Sequence, residues 1–265
     1  MRYAVFSDVH AYPPALEKVL ADAEAQRADV KICLGDVVGY GPDPVGSVSL
    51  CRRACDVVVA GNHDAAVARR IDTRTFIARA QEAVNWHRDR LLESDVEWLA
   101  KLPMSEVRED FIAVHGELHQ RDGHLAAGFG YVLDVFGASS VFAALPPEIG
   151  IAFVGHTHVA DVWIQRGQEM PLQQLPDSFV RVPGARYVVN VGAVGYPRFE
   201  RETTYVIYDS EKGSVTFRHL PFDFEDYARA MDAQGVEPPI WVADRLRARG
   251  RPGKAGRRSD AGTGK

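Results

Sequence analysis

An α/β fold is predicted from three observations. Short apolar runs rich in β-branched residues alternate with longer segments whose apolar residues recur at helical spacing. Two of those runs stop at glycine, at Gly35 and Gly61. The chain has 265 residues, of which 46% are hydrophobic, enough for one substantial core.

Taken in order, Tyr3–Phe6 reads as a buried first strand, followed by a helix from Pro13 to Gln26 with proline in its first turn. Lys31–Leu34 is a second strand. The stretch Val37–Pro44 holds Gly39, Gly41, Pro42 and Pro44 and reads as loop. Val57–Ala60 is a third strand. Between Thr73 and Leu92, the residues Phe76, Ile77, Ala80, Val84 and Leu91 share one helical face. Ser94-Asp95-Val96-Glu97 fits a capping box ahead of Trp98 and Leu99, and Pro103 stops that helix. Phe111–Val114 and Ile151–Val154 are further short strands. After Val159 the character changes, and Tyr187–Val191, Thr203–Tyr208 and Ser214–Arg218 read as strands of a second, more antiparallel sheet. Phe224–Met231 and Trp241–Arg247 are terminal helices. There is no internal repeat.

Charge and cysteine usage narrow the classes. The net charge is −5, but residues 245–265 carry eight Lys/Arg and one Asp, a net +7 that leaves −12 for residues 1–244. A body of that sign disfavours broad nucleic-acid binding, so contact with nucleic acid is expected only through the basic tail. The tail is rich in Gly and Ala and lacks aromatic residues, a composition that cannot order itself. One domain is therefore expected over 1–244, with a disordered tail over 245–265. No stretch approaches the roughly 20 apolar residues of a membrane span. Charge arrives too soon in Met1–Asp8 for a secretory signal, so a cytoplasmic location is expected. Cys33, Cys51 and Cys55 make a poor disulfide framework and read as buried or half-buried thiols.

The chemistry lies where the runs end. Asp8 and His10 follow the first strand, Asp36 the second, and Asn62, His63 and Asp64 the third. His115 follows the Phe111 strand, and His156 and His158 follow the Ile151 strand. Strand ends at one edge of a mainly parallel sheet are spatial neighbours. Asp8 and His10 are two residues apart, as are His156 and His158, so an extended backbone points each pair one way. Singly, each motif has a plainer reading, such as a solvated turn or a satisfied histidine. Jointly, they point to a pair of metal ions in a mixed O/N shell, which suits Mn, Fe, Zn or Ni better than Ca. His87, His119, His124 and His219 fit no ligand position and read as surface or loop residues.

The ordered set Asp8-x-His10, Gly35-Asp36, Gly61-Asn62-His63-Asp64, His115-Gly116 and Gly155-His156-Thr157-His158 resembles the calcineurin-like metallophosphoesterase superfamily. The later Asn190-Val191-Gly192-Ala193-Val194-Gly195-Tyr196-Pro197-Arg198 is similar to a motif of its small bacterial and archaeal phosphodiesterase branch. The resemblance implies a four-layer αββα sandwich of two mixed β-sheets flanked by helices, with a dinuclear metal site at the strand C-terminal ends. It implies one metal on Asp8, His10, Asp36 and His158, and another on Asp36, Asn62, His115 and His156, with Asp36 bridging. Two divalent ions follow, manganese first, with Fe, Ni, Zn or Mg as alternatives.

Departures from the family pattern shape the expected activity. The first motif runs His10-Ala11-Tyr12 where relatives have His-Gly-Asn, and Ala193 and Tyr196 replace a Ser and a Gln of the late motif. Gly35-Asp36-Val37-Val38-Gly39-Tyr40 lacks the Asp-Arg-Gly continuation of Ser/Thr protein phosphatases and symmetrical dinucleoside tetraphosphatases, against both activities. The expected function is a phosphodiesterase acting on small phosphate esters or nucleotides with a hydroxide held between the ions. The alternatives are a phosphomonoesterase or nucleotide pyrophosphatase, or a non-catalytic, metal-dependent nucleic-acid-binding protein. His63, next to a ligand yet outside the ligand set, is the expected acid toward the leaving oxygen, with Asp64 orienting it. Arg198 is a candidate phosphate clamp, and Tyr40 and Tyr12 are candidate cleft walls. Residues 65–110 and 116–150 are expected to be helical and loop segments that shape the pocket.

Overall fold

A computed structural model describes residues 1–198 and 202–249. Two compact units divide the chain, Met1–Phe222 and Asp223–Lys265, so residues 223–244 group with the C-terminal segment and not with the larger body. The first apolar run forms β1 (Arg2–Phe6). Pro13 and Pro14 then start α1 (Pro13–Ala25), where no helical N–H is needed, and Ala15, Leu16, Val19 and Ala23 form its buried stripe. After β2 (Val30–Cys33), the Asp43 side chain accepts from Gly46 N–H and opens α2 (Pro44–Ala54), a helix signalled by an acidic cap and a following proline more than by apolar period. Next come β3 (Val57–Val58), α3 (Asn62–Val67), α4 (Ala78–Arg88) and α5 (Glu93–Ala100). They are followed by β4 (Ser105–Val107), β5 (Phe111–Val114), β6 (Glu117–Arg121), β7 (His124–Gly128), α6 (Val135–Ala144) and β8 (Ile151–Val154). The larger unit closes with β9 (Ala160–Arg166), β10 (Leu172–Gln174), β11 (Ser178–Val180), β12 (Ala185–Val191), β13 (Glu202–Asp209) and β14 (Ser214–Pro221).

Two six-stranded mixed sheets result, in the orders β11-β14-β13-β1-β2-β3 and β10-β9-β12-β8-β5-β4. Pairing is parallel for β1–β2, β2–β3, β5–β8 and β8–β12, and antiparallel elsewhere. Side-chain alternation sets the layers. Tyr3 and Val5 of β1 join Phe111, Phe153, Val189, Val206 and Tyr208 in the core between the sheets. Ile112, Val114, Ala152 and Val154, one residue out of step, face outward and are covered by Ala138, Val141 and Phe142 of α6. This is the four-layer αββα sandwich that the motifs imply.

The strand partition differs from the sequence expectation. The later strands do not make a separate sheet: β12 pairs with β8 in one sheet, while β13 pairs with β1 in the other. Apolar alternation reports which faces are buried, not which strand lies alongside. The expected helix over Thr73–Leu92 begins only at Ala78, because Ile77 is extended (ψ 152°). The capping box also fails. α5 starts at Glu93 without a side-chain cap, and Asp95 pairs with Arg52 at 3.2 Å. Within 116–150 a hairpin, β6–β7, precedes α6, so that segment is not only helix and loop.

In the smaller unit, α7 (Phe224–Ala233) buries Phe224, Tyr227, Ala228 and Met231, and α8 (Ile240–Arg249) brings Trp241 edge-on to Phe224, centroids 5.9 Å apart. Residues 245–249, expected in the tail, continue α8; 250–265 lie outside the described residues. Among the described residues no helix is long and apolar enough to cross a membrane. Cys33 and Cys51 are buried, Cys55 is half-buried, and all three are free thiols.

Phe111 touches the rings of Tyr3, Phe153 and Tyr208 at centroid distances of 5.0, 5.4 and 5.8 Å, tying β5 to three other strands. Phe111→Ala is expected to lower unfolding free energy by about 3–5 kcal/mol. Urea titration would check this; a loss under about 1 kcal/mol would show that the inter-sheet cluster is not a main prop.

Candidate metal centre

The C-terminal ends of β1, β2 and β3 in one sheet and of β5 and β8 in the other open onto the same place. The five ends therefore come from two facing sheets, not from one edge of one sheet. Main-chain bonds join them: Asp8 N–H donates to Gly35 O at 3.0 Å, Gly155 N–H to His115 O at 2.8 Å, and Gly195 N–H to Asp8 O at 2.9 Å. The backbone at the ligand positions is not extended. Asp8 (φ 59°), His10 (46°), Asp36 (50°), His156 (68°) and His158 (63°) are all left-handed, a conformation that costs a non-glycine residue about 1 kcal/mol or more. Small residues give the room: a Cβ on Gly61 would fall 2.1 Å from Asp36 Oδ1, and one on Gly155 2.9 Å from Asp8 Oδ2.

Asp8, His10, Asp36, Asn62, His115, His156 and His158 are all buried and converge. Three imidazoles are fixed from behind. His10 Nδ1 donates to Val38 O (3.1 Å), His115 Nδ1 to Leu34 O (2.9 Å) and His158 Nδ1 to Tyr196 O (2.8 Å). A carbonyl only accepts, so each neutral ring carries its proton at Nδ1 and turns a bare Nε2 lone pair inward. His10 Nε2 and His158 Nε2 then face each other at 3.0 Å, with Asp8 Oδ1 3.1 Å from His158 Nε2. His115 Nε2 faces Asn62 Oδ1 at 3.1 Å and Asp36 Oδ2 at 3.4 Å. His156 Nδ1 completes that second group at 3.1 Å from His115 Nε2. The aspartates are fixed in the same way, because Asp8 Oδ2 accepts from His156 N–H and Asp36 Oδ1 from His63 N–H. Asp8 Oδ1 and His156 Nε2 are buried without a hydrogen-bond partner.

Ring nitrogens and carboxylate oxygens that converge in this way fit divalent cations, and the ligand set is the mixed O/N kind. Protonation points the same way. Burial opposes ionisation of Asp8 and Asp36, yet His158 and His115 respectively lead the groups that hold both carboxyls below their usual range. Burial pushes His156 down to about 3, and lowers His158, keeping both neutral. Burial also opposes a proton on His115, but Asp36, Asp8 and Asp64 push it up to about 9, so without a cation a second proton sits on its Nε2, where a metal ion would displace it.

His63 stands at the edge of the cluster, its ring centroid 5.2 Å from His10, 4.6 Å from Tyr40 and 5.3 Å from Phe76. Its Nδ1 is buried and unpartnered, and burial pushes its pKa down to about 3. Asp64 does not orient it. The Asp64 oxygens accept from Val38 N–H (3.2 Å) and Gly61 N–H (3.0 Å), so the carboxyl fixes the start of α3 instead. Burial and nearby Asp36 push Asp64 up to about 7. Tyr40 stacks on Tyr196 (4.5 Å, 21°), and the Arg198 guanidinium lies over both rings at 5.9 and 5.6 Å. Tyr12 is buried against Phe222, centroids 5.3 Å apart, and does not line the cleft.

A cleft of about 470 Å³ opens on this cluster. Its floor includes Asp36, Asn62, His156 and His158, and its walls are Tyr40, Phe76, Ile77, Phe129, Tyr131 and Arg198. Phe129 and Tyr131 belong to none of the sequence motifs. His87, expected from the sequence to be a surface or loop residue, is a fully buried residue of α4. Gly39 N–H donates to its Nδ1 at 2.9 Å, and its Nε2–H donates to Gly41 O at 3.0 Å, so α4 pins the loop that carries Tyr40. The partners lie 46 and 48 residues away, too far along the chain for any local pattern to reveal them. His119, His124 and His219 stand outside the cluster, on β6, β7 and β14.

Fold and site together define an α/β sandwich with a buried cluster of oxygen and nitrogen ligand atoms, able to hold metal, between two sheets. The family model for the calcineurin-like phosphoesterase superfamily domain matches residues 1–213, and the chain belongs to that superfamily. A crystal structure of a metallophosphoesterase from Sphaerobacter thermophilus is 33% identical with a TM-score of 0.75, the match covering 92% of this chain and 97% of that one. A hypothetical protein from Pyrococcus horikoshii OT3 shares the fold at 18% identity and a TM-score of 0.69, covering 91% and 96%. An uncharacterized protein of Methanocaldococcus jannaschii is 26% identical over 250 residues, 92% of this chain and 96% of that protein.

His87→Leu keeps the bulk of the side chain and removes both bonds to the Tyr40 loop. The unpaired Gly39 N–H and Gly41 O are expected to cost about 2–3 kcal/mol in urea unfolding, and His87→Gln, with an acceptor and a donor, to recover part of it. A leucine variant as stable as the parent would refute the clamp.

Proposed function

We propose that this protein is a metal-dependent phosphodiesterase that works with two divalent cations, manganese first among them. The observation that carries this is the convergence of ring nitrogens and carboxylate oxygens of Asp8, His10, Asp36, His115 and His158 in one buried cluster. Asp8, His10, Asp36 and His158 would hold one cation. Asp36, Asn62, His115 and His156 would hold the other, since Asp36 Oδ2 faces both groups, 3.7 Å from His10 Nε2 and 3.4 Å from His115 Nε2. Cations bound there would lower the pKa of a water toward about 7 and neutralise phosphate oxygens.

The protein's own groups supply position and shape. Arg198, laid over Tyr40 and Tyr196, offers a planar fork that matches two phosphate oxygens. Burial keeps His63 neutral, so it serves the leaving oxygen as an N–H donor whose bond strengthens as negative charge develops there. Asp64 is a positioning residue, holding the turn that presents Asn62 and His63. Among the described residues lining the cleft, Arg198 is the only Lys or Arg, and four of the other walls are Phe76, Ile77, Phe129 and Tyr131. A singly charged diester with bulky arms suits one guanidinium and apolar walls better than a dianionic monoester or a polyphosphate chain. This favours the diester over the monoesterase and pyrophosphatase alternatives.

Metal removal and add-back with Mn, Ni, Zn, Mg and Fe(II), assayed on bis-aryl and mono-aryl phosphates, tests the reading. Diester preference is expected. Monoester preference would favour the alternative, and turnover with no metal form would sink the proposal. Asp36→Asn is expected to abolish turnover and to lower bound metal measured by emission spectroscopy. His63→Ala is expected to keep its metal but slow hydrolysis, most for esters with poor leaving groups; equal slowing across leaving groups would argue against its donor role.

A further inference from the structure

The two sides of the cleft present different surfaces. On one side His63 leans on Phe76 beside the His10 group. On the other, Tyr131 stacks on His156, centroids 3.9 Å apart and planes 19° apart. His156 covers one face of that ring, yet Tyr131 is 51% exposed and lines the cleft. An exposed aromatic ring that lines a polar cleft marks a ligand-facing wall.

We propose that the diesters taken by this cleft carry a planar aromatic group on the arm retained after cleavage, and that Tyr131 is the platform on which this group stacks. This deepens the phosphodiesterase reading and rests on it. His156 belongs to the candidate cluster, so a ring flat against it lies beside the position of the bound phosphate. A leaving group served by His63 occupies the Phe76 side, which leaves the retained arm to Tyr131. A ring held on one face has little freedom to lose and stacks well on another planar group. Stacking tolerates any planar ring, so a nucleobase and a simple aryl group are two sources of one chemistry.

The manganese-loaded protein titrated calorimetrically with diphenylphosphinate and with dimethylphosphinate, which carry no ester bond to cleave, gives a direct readout. The parent is expected to bind the diphenyl ligand roughly tenfold more tightly than the dimethyl ligand. Tyr131→Ala should bring that ratio close to one, while Tyr131→Phe and Tyr131→Trp keep it, with manganese content measured in each. An unchanged ratio in Tyr131→Ala, or an equal loss for both ligands, would overturn the proposal. Kinetics then separate the sources, with p-nitrophenol as constant leaving group and methyl, phenyl or thymidine as retained arm. Lower KM for phenyl and thymidine than for methyl supports the platform, and the order of those two tells aryl from nucleobase. Equal KM for all three overturns it. Ring-selective binding without turnover would sink the phosphodiesterase reading and leave the platform standing; turnover without ring preference would do the reverse.

Discussion

Each of His10, His115 and His158 has one ring nitrogen committed to a main-chain carbonyl, and everything at the centre depends on that commitment. The carbonyls of Val38, Leu34 and Tyr196 belong to backbone that the sheets already position, so the rings cannot turn to satisfy one another. The Nε2 atoms must point inward, where they meet only oxygens and other ring nitrogens. The facing lone pairs of His10 and His158 repel one another, and the left-handed backbone at five residues of the cluster adds strain. The inter-sheet core and the bonds between the strand ends must hold both against relaxation. A cation would convert that repulsion into attraction, which links the stability of this edge to metal.

The segment between α3 and α5 works as a second support. Arg88 of α4 donates to the carbonyls of Ala66 and Val67 at the end of α3, the helix that starts with Asn62 and His63. His87, its neighbour, holds the loop of Gly39 and Gly41. Two adjacent residues thus fix two walls of the cleft from one helix. Rigid placement of this kind is what a site needs when an ångström of error is costly.

Much of this was legible in the sequence, for a local reason: a strand and the residue just beyond its end are read together. Asp8, Asp36, Asn62, His115 and His156 each follow an apolar run, and the structure brings them to one place. The division of strands between the sheets was not legible, because β12 and β13 have the same alternation yet join different partners. The left-handed ligands were hidden as well, since nothing in Asp-x-His distinguishes that backbone from an extended one. His87 was misread because an isolated histidine on a helix reads as solvated unless its distant partners are known.

Phe76 and Ile77 fit a helical face, yet they precede α4 and line the cleft. An apolar side chain can be selected to meet the core or to meet a ligand, and hydrophobic spacing cannot separate the two demands. Local rules are expected to break at functional sites, and here the break falls at the wall beside His63. On the opposite wall Tyr131 shields one face of the His156 imidazole from water. Excluding water there strengthens every charge interaction in the cluster, so the same ring that shapes the cleft also sharpens the electrostatics of the centre behind it.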